Sequence, residues 1–504
     1  MTSEVHQMKD VTEESEICNF YRNKHILLTG ATGFFGKLLI EKLLRVCKPK
    51  MIYLIIRSKK SSEPHKRLQS IIDNPIFDRL KNENPNFMDH ISTVSGDLSQ
   101  PELDLLPSDR DVLIENVQIV MHGAATVKFD EKLSLATKIN VKGTKLILEL
   151  CHKMTKLESV IHLSTAFSNC NQLKEIKEKF YETPISSDNL IHLSDSVKEE
   201  QLELMSPHLR NKWPNTYVFT KAVAEEAISK YGKGLPIAIF RPVIVISTKS
   251  DPIPGWSDNL YGPQGLTLGT GAGIVRVVRC DPNSVAEVVP ADYAVNCLLA
   301  VGYKTSSIKS NHDIQIYNFS NDPSNKITWG EYVKICDQRG QEVPLAMALW
   351  YCSCILIKSS FGFFLLTSIL HNLPALIVDT GLFLMNKKPR AMNIYRKIHK
   401  LEDLLSFFAM NQWDFERDNT KTLWKSLSET DKQLFPFDMK SLDFNSYLNS
   451  YVDGMRLYLG KDDVSTIPRA RRINKLRYVA HRSVQLIFSS SVIWCLWRIF
   501  SLFI

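Results

Sequence analysis
Three glycines set three apart, where one kind of apolar pattern gives way to another, constrain this chain more than any other feature. They are Gly30, Gly33 and Gly36 in "ILLTGATGFFGKLLIEKLL", residues 26–44. Ile26, Leu27 and Leu28 form the continuous apolar run of a buried parallel strand. From Lys37 onward, Leu38, Leu39, Leu43 and Leu44 recur with helical spacing. The glycines therefore occupy a strand-to-helix turn. There the missing Cβ permits tight φ/ψ and lets backbone N–H groups and a helix N-terminus meet a pyrophosphate. The spacing is TGxxGxxG rather than GxGxxG, and a glycine-rich turn without a ligand is the alternative on these residues alone. Thr29, Thr32, Phe34 and Phe35 share the turn and join the glycines as cofactor-binding candidates.

A second strand, "MIYLIIR", ends at Arg57, 21 residues beyond Gly36, about where a dinucleotide fold faces the adenosine ribose. An acid there would bind the 2′-OH of NAD. Here Arg57, Lys59 and Lys60 stand with no acid until Glu63, which suits the 2′-phosphate of NADPH; a solvated basic loop is the alternative. Further strands end in Gly96, Asp97 and Leu98, and in Gly123, Ala124 and Ala125, where small residues let a flat cofactor lie close to the backbone. Strand and helix alternate on through "INVKGTKLILELCHK" and "LESVIHLSTAF". The pattern predicts an α/β fold with a doubly wound parallel sheet of Rossmann type, whose ligands bind at the carboxyl ends of the strands.

The strand "VIHLSTAF" presents Ser164 and Thr165 at its end, and "WPNTYVFTKAVAEEAI" places Tyr217 and Lys221 four apart, on one face of a helix. A phenol is a poor acid near neutral pH, and an ammonium beside it is expected to lower its pKa. The phenol can then donate a proton to a carbonyl oxygen as hydride reaches carbon, with Thr165 or Ser164 holding the same oxygen. Asn140, in "KINVKGTK", is a fourth candidate that would order water beside the lysine; a helix-capping or buried structural asparagine is the alternative.

Together these residues resemble the extended short-chain dehydrogenase/reductase superfamily, and within it the alcohol-forming fatty acyl-CoA reductases of insect type. The phrases that carry the resemblance are "LLTGATGFFGKLLIEKLLR", "AATVKFDEKLSLATKINVKGTK", "WPNTYVFTKAVAEE", "IAIFRPVIVIS", "PIPGWSDNLYGPQGL" and "VVRCDPNSVAEVVPADYAVN". Beyond about residue 400, "LSFFAMNQWDFERDNTKTLW" and "FPFDMKSLDFNSYLNSYVDGMRLYLGKD" resemble that family's smaller C-terminal sterile-type domain, implying a mostly helical second domain. The resemblance implies NADPH-dependent reduction of a long-chain acyl-CoA, with release of CoA, through an aldehyde to a primary alcohol. It assigns Tyr217 and Lys221 to the active-site pair, Thr165 to the hydroxyl position, and Gly30, Gly33 and Gly36 to the cofactor turn. Pro242 and Val243 follow as cofactor contacts, although Val243 stands where relatives often carry serine. Another extended reductase acting on a sterol or other lipid carbonyl, and a non-catalytic NADP(H)-binding sensor, are the competing readings. The interval of 52 positions from Thr165 to Tyr217 reads as a solvated excursion or as a wall of the substrate site.

The net charge of +8 is a local property, because Arg469, Arg471, Arg472, Lys475, Arg477 and Arg482 leave only +2 for the rest. A nucleic-acid partner is therefore not expected. The ten cysteines are scattered without metal-like spacing, so neither a metal nor a disulfide framework is expected. Residues 345–386 are apolar, but Lys358 and the Asn372–Pro374 break divide them into stretches too short to span a bilayer. Buried core helices, an interfacial hairpin and an acyl tunnel compete there. The end, "SVQLIFSSSVIWCLWRIFSLFI", is long and apolar enough to span, with Trp494 and Trp497 suited to an interface and the basic segment favouring the cytosolic side; an amphipathic surface anchor is the alternative. The expected organisation is a disordered polar tail over 1–24 and a reductase domain with its substrate subdomain over 25–340. An apolar segment over 341–400, a sterile-type domain over 401–468 and a basic tail anchor over 469–504 complete it. The anchor would leave the catalytic domain facing the cytosol, at the endoplasmic reticulum or else the peroxisome.

Overall fold
A computed structural model describes residues 12–57, 64–172, 174–307 and 313–501. Chain contacts divide it into two units, neither continuous in sequence. The first takes Met1–Pro254, Glu287–Lys326 and Gln412–Leu442; the second takes Gly255–Ala286, Ile327–Asn411 and Asp443–Ile504. Residues 412–442, expected in a separate C-terminal domain, are thus part of the first unit.

The first unit is built on seven parallel strands: β1 (His25–Thr29), β2 (Met51–Ile56), β3 (Ile91–Ser95), β4 (Ile119–His122), β5 (Ser159–Leu163), β6 (Ile237–Pro242) and β7 (Gln315–Phe319). Their order across the sheet is β7-β6-β5-β4-β1-β2-β3, so the direction of winding reverses between β1 and β4. Strands covered on both faces are apolar at nearly every position; β4 and β6 are buried along their whole length, His122 and Arg241 being their polar exceptions. Leu27, Val120, Val160, Ile239 and Ile316, one from each of five strands, join Ile147 and Leu148 in one core.

Five helices of this unit bear on the site or on its frame. The first, α1 (Glu16–Tyr21), lies where a disordered tail was expected. Ser15 caps it and donates to Asp431 at 2.5 Å, while the fully buried Tyr21 donates to the Leu299 carbonyl at 2.9 Å. These partners lie hundreds of residues away, and they order a segment whose own composition is polar. Next come α2 (Phe34–Lys42), α3 (Gly143–Cys151), α4 (Thr216–Tyr231) and α5 (Ala291–Ser306). Asn215 starts α4 by accepting the Val218 amide at 3.1 Å; α4 packs on α3, and α5 on β5 and β6.

In the second unit α6 (Trp329–Glu342) begins with a capping box of Thr328 and Glu331. A continuous helix α7 (Ser360–Leu384) follows, then α8 (Ala391–Met410), α9 (Phe444–Gly454) and α10 (Ile467–Phe500). Pro374 was expected to break the apolar run, and it does not. The turn before it is wound as a π-helix over Ser368–Asn372, with the Leu373 amide reaching back to the Ser368 carbonyl, so the proline enters at a first-turn position that needs no N–H. Only 17% of the apolar window of α7 is buried, which removes the buried-core reading of this segment. Phe361, Phe364, Leu376, Ile377 and Phe383 are all exposed. Asp379 accepts the amides of Arg390, Ala391 and Met392 and so fixes the turn into α8. Two helices, Ser360–Leu384 and Val464–Phe500, are long and apolar enough to cross a membrane.

α9 packs on α6, and its last residue meets the start of the unit backbone to backbone. A Cβ on Gly454 would lie 1.9 Å from the Gly255 carbonyl oxygen, and one on Gly255 2.1 Å from that of Ser450. Gly454→Ala is expected to destabilise the protein by about 1–3 kcal/mol in urea unfolding. Gly381→Ala, whose Cβ would meet nothing within 4 Å, should raise the unfolding midpoint slightly, as a helix-interior glycine gives way to alanine.

Candidate active site
The turn after β1 is shaped by close backbone approach. Gly30 has φ +83°, and a Cβ there would sit 2.8 Å from the Ala124 amide nitrogen, at the end of β4. Gly36 is buried, and its Cβ would fall 2.3 Å from the Gly30 carbonyl oxygen. Gly33 stands at the N-cap of α2 with no side chain, and its amide donates to the Gly30 carbonyl at 3.0 Å. Thr32, Phe34 and Phe35 are half-buried along the rim. A cradle that side chains would fill, beside a helix N-terminus and at the point where winding reverses, fits a dinucleotide pyrophosphate.

A hydrogen-bonded row runs from this turn towards α4. Thr29 Oγ1 accepts the Ala124 amide at 3.1 Å and lies 2.8 Å from Nδ1 of His122. Nε2 of His122 lies 3.1 Å from Thr144 Oγ1, which donates to the Asn140 carbonyl at 2.7 Å. The Asn140 side chain accepts the Thr126 amide at 2.9 Å and donates to Thr220 Oγ1, one residue before Lys221, also at 2.9 Å. Asn140 therefore ties the loop after β4 to the helix of Tyr217 and Lys221, a structural job of its own. Burial pushes the His122 imidazole down to about 3, leaving it neutral. His122 and Thr144 were missed in the sequence, because only register on neighbouring strands and helices brings them to Thr29.

Tyr217 and Lys221 occupy one face of α4. The Tyr217 phenol lies close enough to the Thr165 hydroxyl, at the carboxyl end of β5, for that group to act on its titration, and its ring stacks on Phe129 with centroids 5.9 Å apart. Lys221 Nζ donates to the Leu163 carbonyl at 2.6 Å. Burial, eased by the Thr165 hydroxyl, pushes the phenol up to about 12, and burial lowers the ammonium to about 8 against the attraction of Glu225. The expected depression of the phenol by its lysine is thus not what this geometry gives: desolvation dominates. Ser164 and Thr165 part company. Ser164 Oγ donates to Glu225 Oε1 at 2.5 Å, so its hydroxyl faces away from Tyr217, and only Thr165 acts on the phenol.

Arg57 is exposed at the end of β2; Lys59, Lys60 and Glu63 lie outside the described residues. A second cation stands beside it, since Arg67, from the following helix, donates to the Arg57 carbonyl at 2.5 Å. Nothing in the spacing marks Arg67, which lies on a separate helix, Pro64–Ile72. Asp97 is engaged locally, accepting the amide and hydroxyl of Ser99 at 2.9 and 2.8 Å, and Leu98 belongs to the core. Pro242 ends β6, and the Val243 amide donates to the Phe319 carbonyl at 2.9 Å, extending the sheet. The long excursion before Tyr217 is not loose: Glu203 accepts the Leu133 amide at 2.5 Å, and Trp213 donates to the Ser168 carbonyl at 2.7 Å. No group of three or more metal-ligating side chains occurs among the described residues.

Comparison with known proteins agrees with this frame. An NAD-binding family model described as "Male sterility protein" matches residues 28–298, and a second of the same description, "Sterile", matches 370–462. "Fatty acyl-CoA reductase wat" of Drosophila melanogaster is 40% identical over 99% of this chain and 96% of its own. "Fatty acyl-CoA reductase 1" of Xenopus laevis is 36% identical, and that of Homo sapiens 34%, each over 96% of this chain and 93% of the relative. Among solved structures, the terminal R domain from the myxalamid PKS-NRPS pathway superposes with a TM-score of 0.57 at 20% identity, covering 86% of this chain and 91% of that one. The reductase (R) domain of a Mycobacterium tuberculosis non-ribosomal peptide synthetase gives 0.57 at 17% identity, covering 90% and 99%; these two speak for the fold. A parallel sheet wound about a nicotinamide-cofactor cradle, matched along nearly its whole length by these relatives, places the chain in the fatty acyl-CoA reductase family of oxidoreductases.

Proposed function
We propose that this protein reduces long-chain fatty acyl-CoA to a primary alcohol, releasing CoA, with NADPH as reductant. The observation that carries the reading is the Tyr217 phenol beside the Thr165 hydroxyl at a strand's carboxyl end, one helical turn from the buried Lys221. The cradle of Gly30, Gly33 and Gly36 would hold NADPH, which would supply the hydride. Each of the two reductions needs one hydride at carbon and one proton at oxygen. The acyl oxygen sits between Thr165 and Tyr217, and the phenol gives it the proton. A phenol held up at about 12 stays protonated across the physiological range, the state a donor requires. Collapse of the first adduct breaks the C–S bond and frees CoA as the thiol; the aldehyde left behind meets the same pair a second time. Arg57 and Arg67 supply cations for the 2′-phosphate that distinguishes NADPH from NADH.

The apolar end of α10 anchors the chain in the endoplasmic reticulum membrane, with its basic stretch and the catalytic unit on the cytosolic side, and α7 lies in the interface where acyl chains enter. The Arg498 guanidinium packs over the Trp494 ring, 5.9 Å from its centroid, an arrangement suited to an interfacial belt.

Membranes carrying the chain are expected to turn a long-chain acyl-CoA and NADPH into alcohol, read by gas chromatography, and Tyr217→Phe to lower that rate about 100-fold or more. Unchanged alcohol formation in the variant refutes the proton donor. Replacing both Arg57 and Arg67 by alanine should raise KM for NADPH while leaving that for NADH nearly unaltered; an unmoved NADPH/NADH ratio refutes the cofactor assignment. A chain ending after residue 468 should leave carbonate-washed membranes that retain the full chain, and equal retention refutes the anchor.

A further inference from the structure
Behind the catalytic pair, Glu225 and Arg241 form an ion pair sealed from solvent, with the arginine fully buried and the glutamate 2% exposed. Glu225 follows Lys221 on α4 as Lys221 follows Tyr217, so the three share one helical face. Its carboxylate is densely held. Oε1 accepts Ser164 Oγ at 2.5 Å, Ser168 Oγ at 3.0 Å and Arg241 Nε at 2.9 Å. Oε2 accepts Arg241 Nη2 at 2.6 Å and Asn169 Nδ2 at 3.4 Å. The remaining Arg241 donors reach the carbonyls of Lys177 and Lys179 at 3.1 and 3.0 Å.

A buried pair of this kind stabilises a fold no better than well-packed apolar residues of the same size. Its position suggests another use. Ser164 directly precedes Thr165, so the carboxylate clamps the strand end that bears the substrate hydroxyl onto the helix that bears the phenol. Glu225 is also the acid that acts on Lys221. The other groups facing that lysine are His122 on β4 and His162 on β5, both kept neutral by burial, and Tyr217 on its own helix; Arg241, on β6, stands beyond the carboxylate.

We infer that Glu225 is a positioning residue of the reductive site: it locks the Ser164–Thr165 strand end to the helix of Tyr217, and its charge holds Lys221 in the ammonium form. The inference rests on the reading of Tyr217 and Lys221 as the reducing pair, and its test is separate from turnover. The full-length protein in detergent, without cofactor, is trace-labelled with acetic anhydride across a range of pH. Acetylation of the Lys221 peptide, followed by mass spectrometry, then gives the midpoint at which that amine loses its proton.

In Glu225→Gln the midpoint should fall by about one pH unit or more, because the attracting charge is gone and the guanidinium is left uncompensated. In Arg241→Met it should rise, since the carboxylate then acts on Lys221 unopposed. Glu225→Asp should restore the native value, and Ser168→Ala, which removes two hydrogen bonds and no charge, should leave it in place. The high-pH limb of kcat should move in the same directions. A Glu225→Gln midpoint equal to the native one overturns the proposal. Where that variant does not fold, a midpoint in Arg241→Met that fails to rise does so instead. Alcohol formation that survives Tyr217→Phe refutes the reductive reading whatever the labelling shows, whereas its loss together with unmoved midpoints refutes the role of Glu225 alone.

Discussion

The chemistry of the first unit depends on how closely two stretches of backbone approach at the point where the sheet reverses its winding. The turn after β1 lies against the end of β4 with no room for a Cβ at Gly30, and the start of α2 lies against that same turn with none at Gly36. A side chain at either position would push the helix N-terminus away from the strand ends, and the cradle would open. The approach also frames the row from Thr29 through His122 and Thr144 to Asn140, whose first two links join β1 to β4 and β4 to α3. From Asn140 the row reaches α4. The cradle for the cofactor and the helix of Tyr217 and Lys221 are therefore two ends of one hydrogen-bonded frame.

Within that frame, burial more than pairing governs the charges. Tyr217 is raised and Lys221 lowered by the same removal from water, although the two carry opposite charges when ionised. His122 is neutral for the same reason, so it serves as a bridge between hydroxyls and brings no second cation beside the lysine. A sealed carboxylate at Glu225, itself compensated by Arg241, is the counterweight. The adjacent hydroxyls of Ser164 and Thr165 then divide the work by orientation: one faces the clamp, the other the phenol.

Much of this was legible in the chain. The glycine turn, the apolar strand runs and the four-residue interval from Tyr217 to Lys221 are local patterns, and local patterns survive folding because they report dihedral angles and helical faces directly. What could not be read is set by distant partners. Ser15 and Tyr21 are ordered by Asp431 and Leu299, so a polar N-terminal segment became a buried helix. The neighbours Ser164 and Thr165 look alike until β5 is laid beside α4. Arg67 meets Arg57 only through the placement of a helix. Pro374 reads as a helix breaker, and it would be one had the preceding turn not widened to five-residue bonding. Glu225 did leave a trace, four residues beyond Lys221, yet an acid at that interval is common on solvated helices, and only its burial sets it apart.

The long helix α10 has a mechanical consequence. Its 34 residues make a rod of about 50 Å at ~1.5 Å per residue, and the hydrocarbon of a bilayer takes up only about 30 Å of it. Once the apolar end is embedded, roughly 20 Å of stiff, arginine-studded shaft projects into the headgroup region and beyond. That shaft is held against its own unit along its length: Arg471 donates to the Glu342 carbonyl at 2.6 Å, Arg477 to the Leu345 carbonyl at 3.4 Å and Trp350 to His481 at 3.0 Å. With the apolar end embedded as proposed, the rod would serve as a rigid mount and not as a loose tether. The second unit would ride at one height above the lipid, and a greasy product would have a short, constant distance to travel back to the leaflet.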